Sequence, residues 1–130
     1  MDEFRISTRG KHDMVDVTRQ VSEAVSRSGI ADGLCTVFVP HTTAAITINE
    51  NADPDVQKDI MAGTTRMVPN TLFRHSEGNS DGHIKSTLYG PSIGVIVKGG
   101  TLVLGTWQGI YLCEFDGPRE RRLLVKVIQG

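Results

Sequence analysis

The sequence contains no run approaching the roughly 18 apolar residues that a membrane-spanning helix requires, and its opening stretch, MDEFRISTRGKHD, is charged where a secretory leader would be apolar. A soluble, cytoplasmic protein without a membrane partner is the expectation. An excess of either charge is also missing: 14 basic side chains stand against 15 acidic ones, for a net charge of -1 and a pI near 6.4. No global field would draw such a chain to nucleic acid. Cysteine is scarce, and Cys35 and Cys113 each lie inside an apolar run, LCTVFV and IYLCEF, with no CxxC spacing and no neighbouring histidine. Buried, reduced thiols are expected there, as suits a reducing compartment. The phosphate-cradling GxxxxGK[ST] string and a GxGxxG after a strand are absent, and no serine-hydrolase elbow is expected. Nor is there an internal repeat or a Pro/Ser/Gly-rich linker.

What is present fits a single compact domain, because 130 residues bury roughly two thirds of their unfolded surface. Residues 3 to 9 alternate loosely enough for an opening strand, and Met14, Val15 and Val17 extend a second. Val21, Ala24 and Val25 recur at helical spacing after a cap at Asp16 or Thr18, and Gly29 stops that helix. Leu34 to Pro40 and Thr43 to Asn49 read as strands, the second with Ala44, Ile46 and Ile48 on one face. Asp53-Pro54-Asp55 is a strong helix start, with Asp53 as cap and Pro54 at the first helical position, and Pro69 limits the helix to about Met67. After residue 70 comes a polar loop, then Lys85 to Leu88 as a helical turn. From Ser92 on the pattern is β throughout, giving three or four strands, with hairpin turns at Gly99-Gly100 and Asp116-Gly117-Pro118. The sum is an α+β domain with two main helices and a largely antiparallel sandwich or barrel-like sheet.

The chemistry concentrates in His75 to His83, HSEGNSDGH, which has no aliphatic or aromatic residue and holds two imidazoles, Glu77, Asn79 and Asp81 between glycines. A loop of ligands and hinges contributes nothing to a core and is a natural place for function. His41 follows a strand edge beside Thr42 and Thr43. If the sheet carries it to the loop, His41, His75 and His83 form a facial set suited to catalytic zinc or another divalent metal; otherwise they are solvated loop side chains. His12, in the RGKHD turn, is read as solvated. Glu50, ending an apolar strand face, is either solvated or desolvated toward acid/base duty. Trp107 is either a lid on the core or a platform for a planar ring whose edge Gln108 reads. A hairpin at Gly117-Pro118 would lay Arg119 and Arg121 across from Glu114 and Asp116, as cross-strand salt bridges or as a fork for phosphate or carboxylate.

Three separated strings, HTTAAITINENADPDV, HSEGNSDGH and SIGVIVKGGTLVLGTWQGIYLCEFDGPRERR, together resemble the YjbQ-type family, described as secondary thiamine-phosphate synthases, and the likeness covers nearly the whole chain. The resemblance implies a small α+β sandwich assembled as a homotrimer, with polar residues gathered near subunit contacts. It also implies an activity, a weak or promiscuous condensation of hydroxymethylpyrimidine pyrophosphate with hydroxyethylthiazole phosphate. On that reading His41, Glu50, His75 and His83 are catalytic candidates. Glu77, Asn79, Trp107, Gln108, Arg119 and Arg121 are candidates for binding a phosphorylated small molecule, and a divalent zinc or magnesium ion is a candidate cofactor. A metal-dependent hydrolase on the three imidazoles, and a noncatalytic binder of a small anionic metabolite, are the competing readings.

Overall fold

The computed structural model describes residues 1–70, 74 and 78–130. Along the chain run β1 (Asp2–Ser7), β2 (Asp13–Asp16), α1 (Thr18–Ser28), β3 (Gly33–Phe38), β4 (Ala44–Glu50), α2 (Pro54–Met67), α3 (Ser80–Tyr89), β5 (Ser92–Lys98), β6 (Thr101–Leu102), β7 (Gln108–Glu114) and β8 (Glu120–Gln129). The strands form two sheets, ordered β1-β8-β3-β5-β6 and β2-β7-β4. Every pairing among them is antiparallel. This is the α+β architecture expected from the sequence, with three helices among the described residues instead of two main ones.

Local chemistry accounts for most element ends. The N-cap of α1 is Val17, with no side-chain cap, rather than Asp16 or Thr18; Asp16 Oδ1 instead accepts from the backbone N–H and the hydroxyl of Thr18 at 2.9 and 2.6 Å just before the helix, and Gly29 closes it in the left-handed region at φ 68°. Asp53 Oδ1 accepts from the Asp55 N–H at 2.9 Å, with Pro54 at the first position of α2, as the sequence implied. Gly99 and Gly100, both at positive φ, turn β5 into β6. The third helix is the departure. Half of the expected polar loop, from Ser80, is helical, because its polar residues are not facing water: Asp81, Gly82, Lys85 and Ser86 form the buried face of α3.

The main core lies between the sheets. Cys35, Val37, Val95, Val97, Leu123 and Val125 from the larger sheet meet Ile46, Ile110 and Leu112 from the smaller, and α1 adds Val21, Ala24 and Val25. A second cluster, Ala45, Tyr111, Cys113 and Phe115, lies on the opposite face of the smaller sheet, under Met61 of α2 and Tyr89 of α3. Strand β7 is therefore buried on both faces, with its alternate residues feeding different cores. Cys35 and Cys113 are both free and buried, and burial pushes both thiols up, Cys35 to about 11.

Asp116-Gly117-Pro118 is not a hairpin turn. It is a corner, since β7 belongs to the smaller sheet and β8 to the larger. The expected contacts survive by another route. Arg121 reaches Glu114, and Arg119 reaches Asp116, across the corner rather than across a ladder.

Gly33 sits where β3 is bonded on both sides, opposite Val97 and Gln129. A Cβ there would stand 2.1 Å from the Ile128 carbonyl oxygen. Gly33→Ala should therefore cost about 1–3 kcal/mol by forcing β8 away from β3. Urea denaturation measures it, and an unchanged midpoint would show that the strand edge yields freely.

Candidate functional site

One cleft of about 420 Å³ opens at the end of the smaller sheet where β4 begins and β7 finishes, lined by Pro40, His41, Thr42, Thr43, Asn79, His83, Asp116, Arg119 and Arg121. Three segments meet there: the β3–β4 connection, the N-terminal half of α3, and the β7–β8 corner. The volume suits a small metabolite.

The floor is a buried ion pair. Glu114 and Arg121 are almost wholly covered, and Arg121 Nε donates to Glu114 Oε1 at 2.8 Å while its Nη2 donates to Glu114 Oε2, to the Thr43 carbonyl at 3.1 Å and to the Thr43 hydroxyl at 2.9 Å. The Thr8 hydroxyl donates to Glu114 Oε1 at 2.8 Å, and the Asp116 N–H donates to Oε2 at 3.0 Å. Burial works to raise the Glu114 carboxyl, but the bonds from Arg121, the Asp116 amide and Thr8 outweigh it and hold Glu114 below the usual carboxylate range. Nε and Nη2 carry these bonds, and Arg121, though nearly covered, also lines the cleft.

The walls carry the remaining groups. Asn79 Nδ2 donates to Asp116 Oδ2 at 2.8 Å, and Arg119 Nη2 reaches the same oxygen at 3.3 Å while its Nε holds the Asp116 carbonyl at 2.9 Å. Arg119 is exposed at the rim. His41 Nε2 accepts from the Arg122 backbone N–H at 2.8 Å, so in its neutral form the ring proton is on Nδ1. Burial, then the Arg121 charge, holds the His41 imidazole below its ordinary value. The site thus offers a neutral imidazole donor, two guanidinium groups, hydroxyls, and His83 from α3.

The sequence-derived candidates divide in three. His41, His83, Asn79, Arg119 and Arg121 converge on the cleft. His75 and Glu77 lie outside the described residues. Glu50, Trp107 and Gln108 sit elsewhere. Ala44 faces Glu114 at the cleft end of the ladder and Glu50 faces Gln108 at the other, roughly 20 Å away at about 3.3 Å per residue. There Glu50 accepts from the Ala52 N–H at 3.0 Å, Gln108 Oε1 accepts from the Gly105 N–H at 2.8 Å, and Trp107 is 62% exposed. Trp107 is accordingly not a lid on the core.

Among the described residues no three His, Cys, Asp or Glu side chains gather as a metal site. Of the three imidazoles considered for one, His41 spends Nε2 on a backbone N–H, His83 lines the same cleft, and His75 lies outside the described residues. A site with the donors so far described lacks a third ligand. The string Gly90-Pro91-Ser92-Ile93-Gly94 has GxSxG spacing, but it leads from α3 into β5, the reverse of the strand-to-helix elbow that activates a serine.

Sequence reasoning missed the acidic floor and His12. Glu114 and Arg121 were paired as strand neighbours, with no sign that they would be buried. His12 is half-buried, and Lys85 Nζ lies 2.9 Å from its Nε2. The signal present in the sequence was Asp81 and Lys85 at i, i+4, the spacing of a helical ion pair.

Comparison with known proteins came to one result. The family model for UPF0047 proteins of YjbQ-like type matches residues 2–130. A UPF0047 protein of Methanocaldococcus jannaschii is 51% identical over 126 residues, 96% of this chain and 91% of that protein. The UPF0047 protein YugU of Bacillus subtilis is 49% identical over 127 residues, 96% of each. The crystal structure of an uncharacterized YjbQ/UPF0047 protein from Clostridium acetobutylicum superposes with a TM-score of 0.97 at 50% identity, over 98% of this chain and all of that one.

His12 and His41 share a consequence. Burial, then Lys85 and Lys11, holds His12 below the ordinary 6.5, and burial with Arg121 does the same to His41. The unfolded chain therefore takes up these protons more readily, so the associated stability is full above pH 6.5 and lost as pH falls through the folded values. The urea midpoint should drop between about pH 7 and pH 5, less steeply in His12→Gln. A midpoint that rose on acidification would contradict the assignment of both rings as neutral.

Proposed function

The chain belongs to the YjbQ-like UPF0047 family, and on that footing we propose that its cleft is the active site of a small-molecule enzyme acting on a phosphorylated metabolite, with thiamine-phosphate-synthase-type transfer as its reaction. One observation carries this reading: Arg121, Arg119 and the imidazoles of His41 and His83 line a single polar cleft of metabolite size.

In the transfer, the bond between the pyrimidine methylene carbon and pyrophosphate oxygen breaks, and its electron pair leaves with pyrophosphate. The thiazole nitrogen lone pair then forms the new C–N bond, giving the thiazolium. The chain's task is to hold the departing charge. Arg119 and Arg121 would take phosphate oxygens, and a His41 Nδ1–H would donate to another. Asn79, tied to Asp116, orients the same edge. Glu50 and Trp107, an acid/base candidate and a ring platform in the sequence, could meet this cleft only from another subunit. The hydrolase reading needs a third metal ligand beyond the described residues, whereas in the transfer Arg119 and Arg121 would carry the departing charge, with a divalent ion, where one binds, sharing it.

The assay is direct. Purified protein given both precursors should form thiamine phosphate and pyrophosphate, with His83→Ala lowering kcat on the order of 10²-fold while the fold persists. Arg119→Ala should raise KM for the pyrophosphate ester. Unchanged kinetics in both variants would remove the cleft from the mechanism, and tight binding without turnover would favour the noncatalytic binder.

Assembly belongs to the same proposal. The outer face of the five-stranded sheet carries Leu34, Ile96 and Ile128, 46%, 62% and 54% exposed, in one cross-strand row, and, beyond the intervening Thr36–Lys126 pair, Phe38 opposite Leu124. These exposed apolar side chains support a subunit contact, and a homotrimer is the reading taken. Light scattering should give three times the mass of the 14.2 kDa chain, and Ile96→Glu should reduce it to monomer. A monomeric parent protein would end this part of the proposal.

A further inference from the structure

Helix α3 brings Asn79 and His83 to the cleft, yet it docks without an aliphatic anchor. Its fully covered residues are Asp81, Gly82, Lys85 and Ser86, and no side chain caps its N-terminus. Ile84 and Leu88 are exposed. Gly82 lets the helix lie close, since a Cβ there would stand 3.1 Å from the Phe115 carbonyl oxygen. The Ser86 hydroxyl donates to the Ala44 carbonyl at 2.7 Å, and the Tyr89 ring meets Phe115 edge-on at 4.9 Å.

The remaining tie is ionic. Lys85 is wholly buried, and its Nζ donates to Asp81 Oδ2 at 3.2 Å and to His12 Nε2 at 2.9 Å. Lys11 Nζ stands 3.5 Å from the same Asp81 oxygen, and Asp81 Oδ1 is buried with no partner among the described residues. A buried ammonium is expensive unless its partners are placed well, and an unbranched apolar chain would fill the same space without that cost. What the apolar chain would not supply is direction.

We propose that Lys85 is a positioning residue for the cleft: its clamp between Asp81 and His12 sets the rotation and depth of α3, and so where Asn79 and His83 stand. At about 100° per residue, the Asp81/Lys85 stripe and the Asn79/His83 stripe lie roughly on opposite sides of the helix. The clamp acts through the helix body, as a lever, without touching anything bound in the cleft. The anchor is shared with the other wall. Thr8 N–H donates to the Arg119 carbonyl at 3.0 Å and Gly117 N–H to the Lys11 carbonyl at 3.1 Å, so the segment from Thr8 to His12 holds both the β7–β8 corner and α3. The two walls are gauged against one abutment.

The first readout needs no ligand, and the second, pyrophosphate affinity, rests on the proposed function. In Lys85→Met, the ring NMR signals of His83 should move while those of His41, on a different segment, stay in place. Pyrophosphate affinity should weaken roughly tenfold, the lower end of what loss of a supporting contact behind a binding group does. A folded Lys85→Met protein with unmoved His83 signals would overturn the proposal. If that variant does not fold, His12→Leu removes one arm of the clamp and keeps the Asp81 pair; a smaller displacement of His83 is then expected, and none would overturn it equally. A parent protein that fails to bind pyrophosphate would count against the ligand class and leave the His83 result standing.

Discussion

The buried pair of Glu114 and Arg121 is the constraint on which the site depends. It lies at the corner where the chain leaves the smaller sheet for the larger, and it draws in Thr8 after β1 and Thr43 before β4. Four separate stretches of chain thereby share one polar knot at the edge of an otherwise apolar core. Such a pair brings little net stability relative to well-packed apolar side chains, but losing one partner strands the other, at about 3–5 kcal/mol. Its value is geometric. With Nε and Nη2 committed inward, the guanidinium is held in one orientation beside the cleft that Arg121 lines.

The same logic extends to α3. A helix held by an aliphatic stripe can slide or roll while keeping much of its burial, because hydrophobic contact is not directional. A helix held by Lys85, Asp81, Ser86 and a close-packed glycine has far fewer acceptable placements. The polar interior on this side of the smaller sheet costs stability and supplies registration, and the cleft lies between the two elements so registered. The outer sheet face is the opposite case, with Leu34, Ile96 and Ile128 exposed in the single chain.

Much of this was legible in the sequence, for identifiable reasons. Periodicity and capping reported α1, α2 and the strands because those signals are local: Gly29, Asp53, Pro54 and Gly99-Gly100 act within a few residues of themselves. His41, His83, Asn79, Arg119 and Arg121 stood out by residue type, and they converge. Helix α3 was only partly legible, since its buried face is built from polar residues that hydrophobic patterning reads as solvated loop. His12 was misread for the same reason, its partner being 73 positions distant.

The sequence alone determined the class of the domain, the element order apart from α3, and the chemical repertoire, because each rests on local propensity or on which side chains exist. Tertiary structure alone decided that Asp116-Gly117-Pro118 is a corner between sheets, that Glu114 and Lys85 are buried, and that Glu50 and Trp107 stand at the far end of the ladder from His41. Those outcomes turn on which distant segments pair and in what register. A residue's burial and charge environment come from neighbours that its own stretch of sequence does not contain.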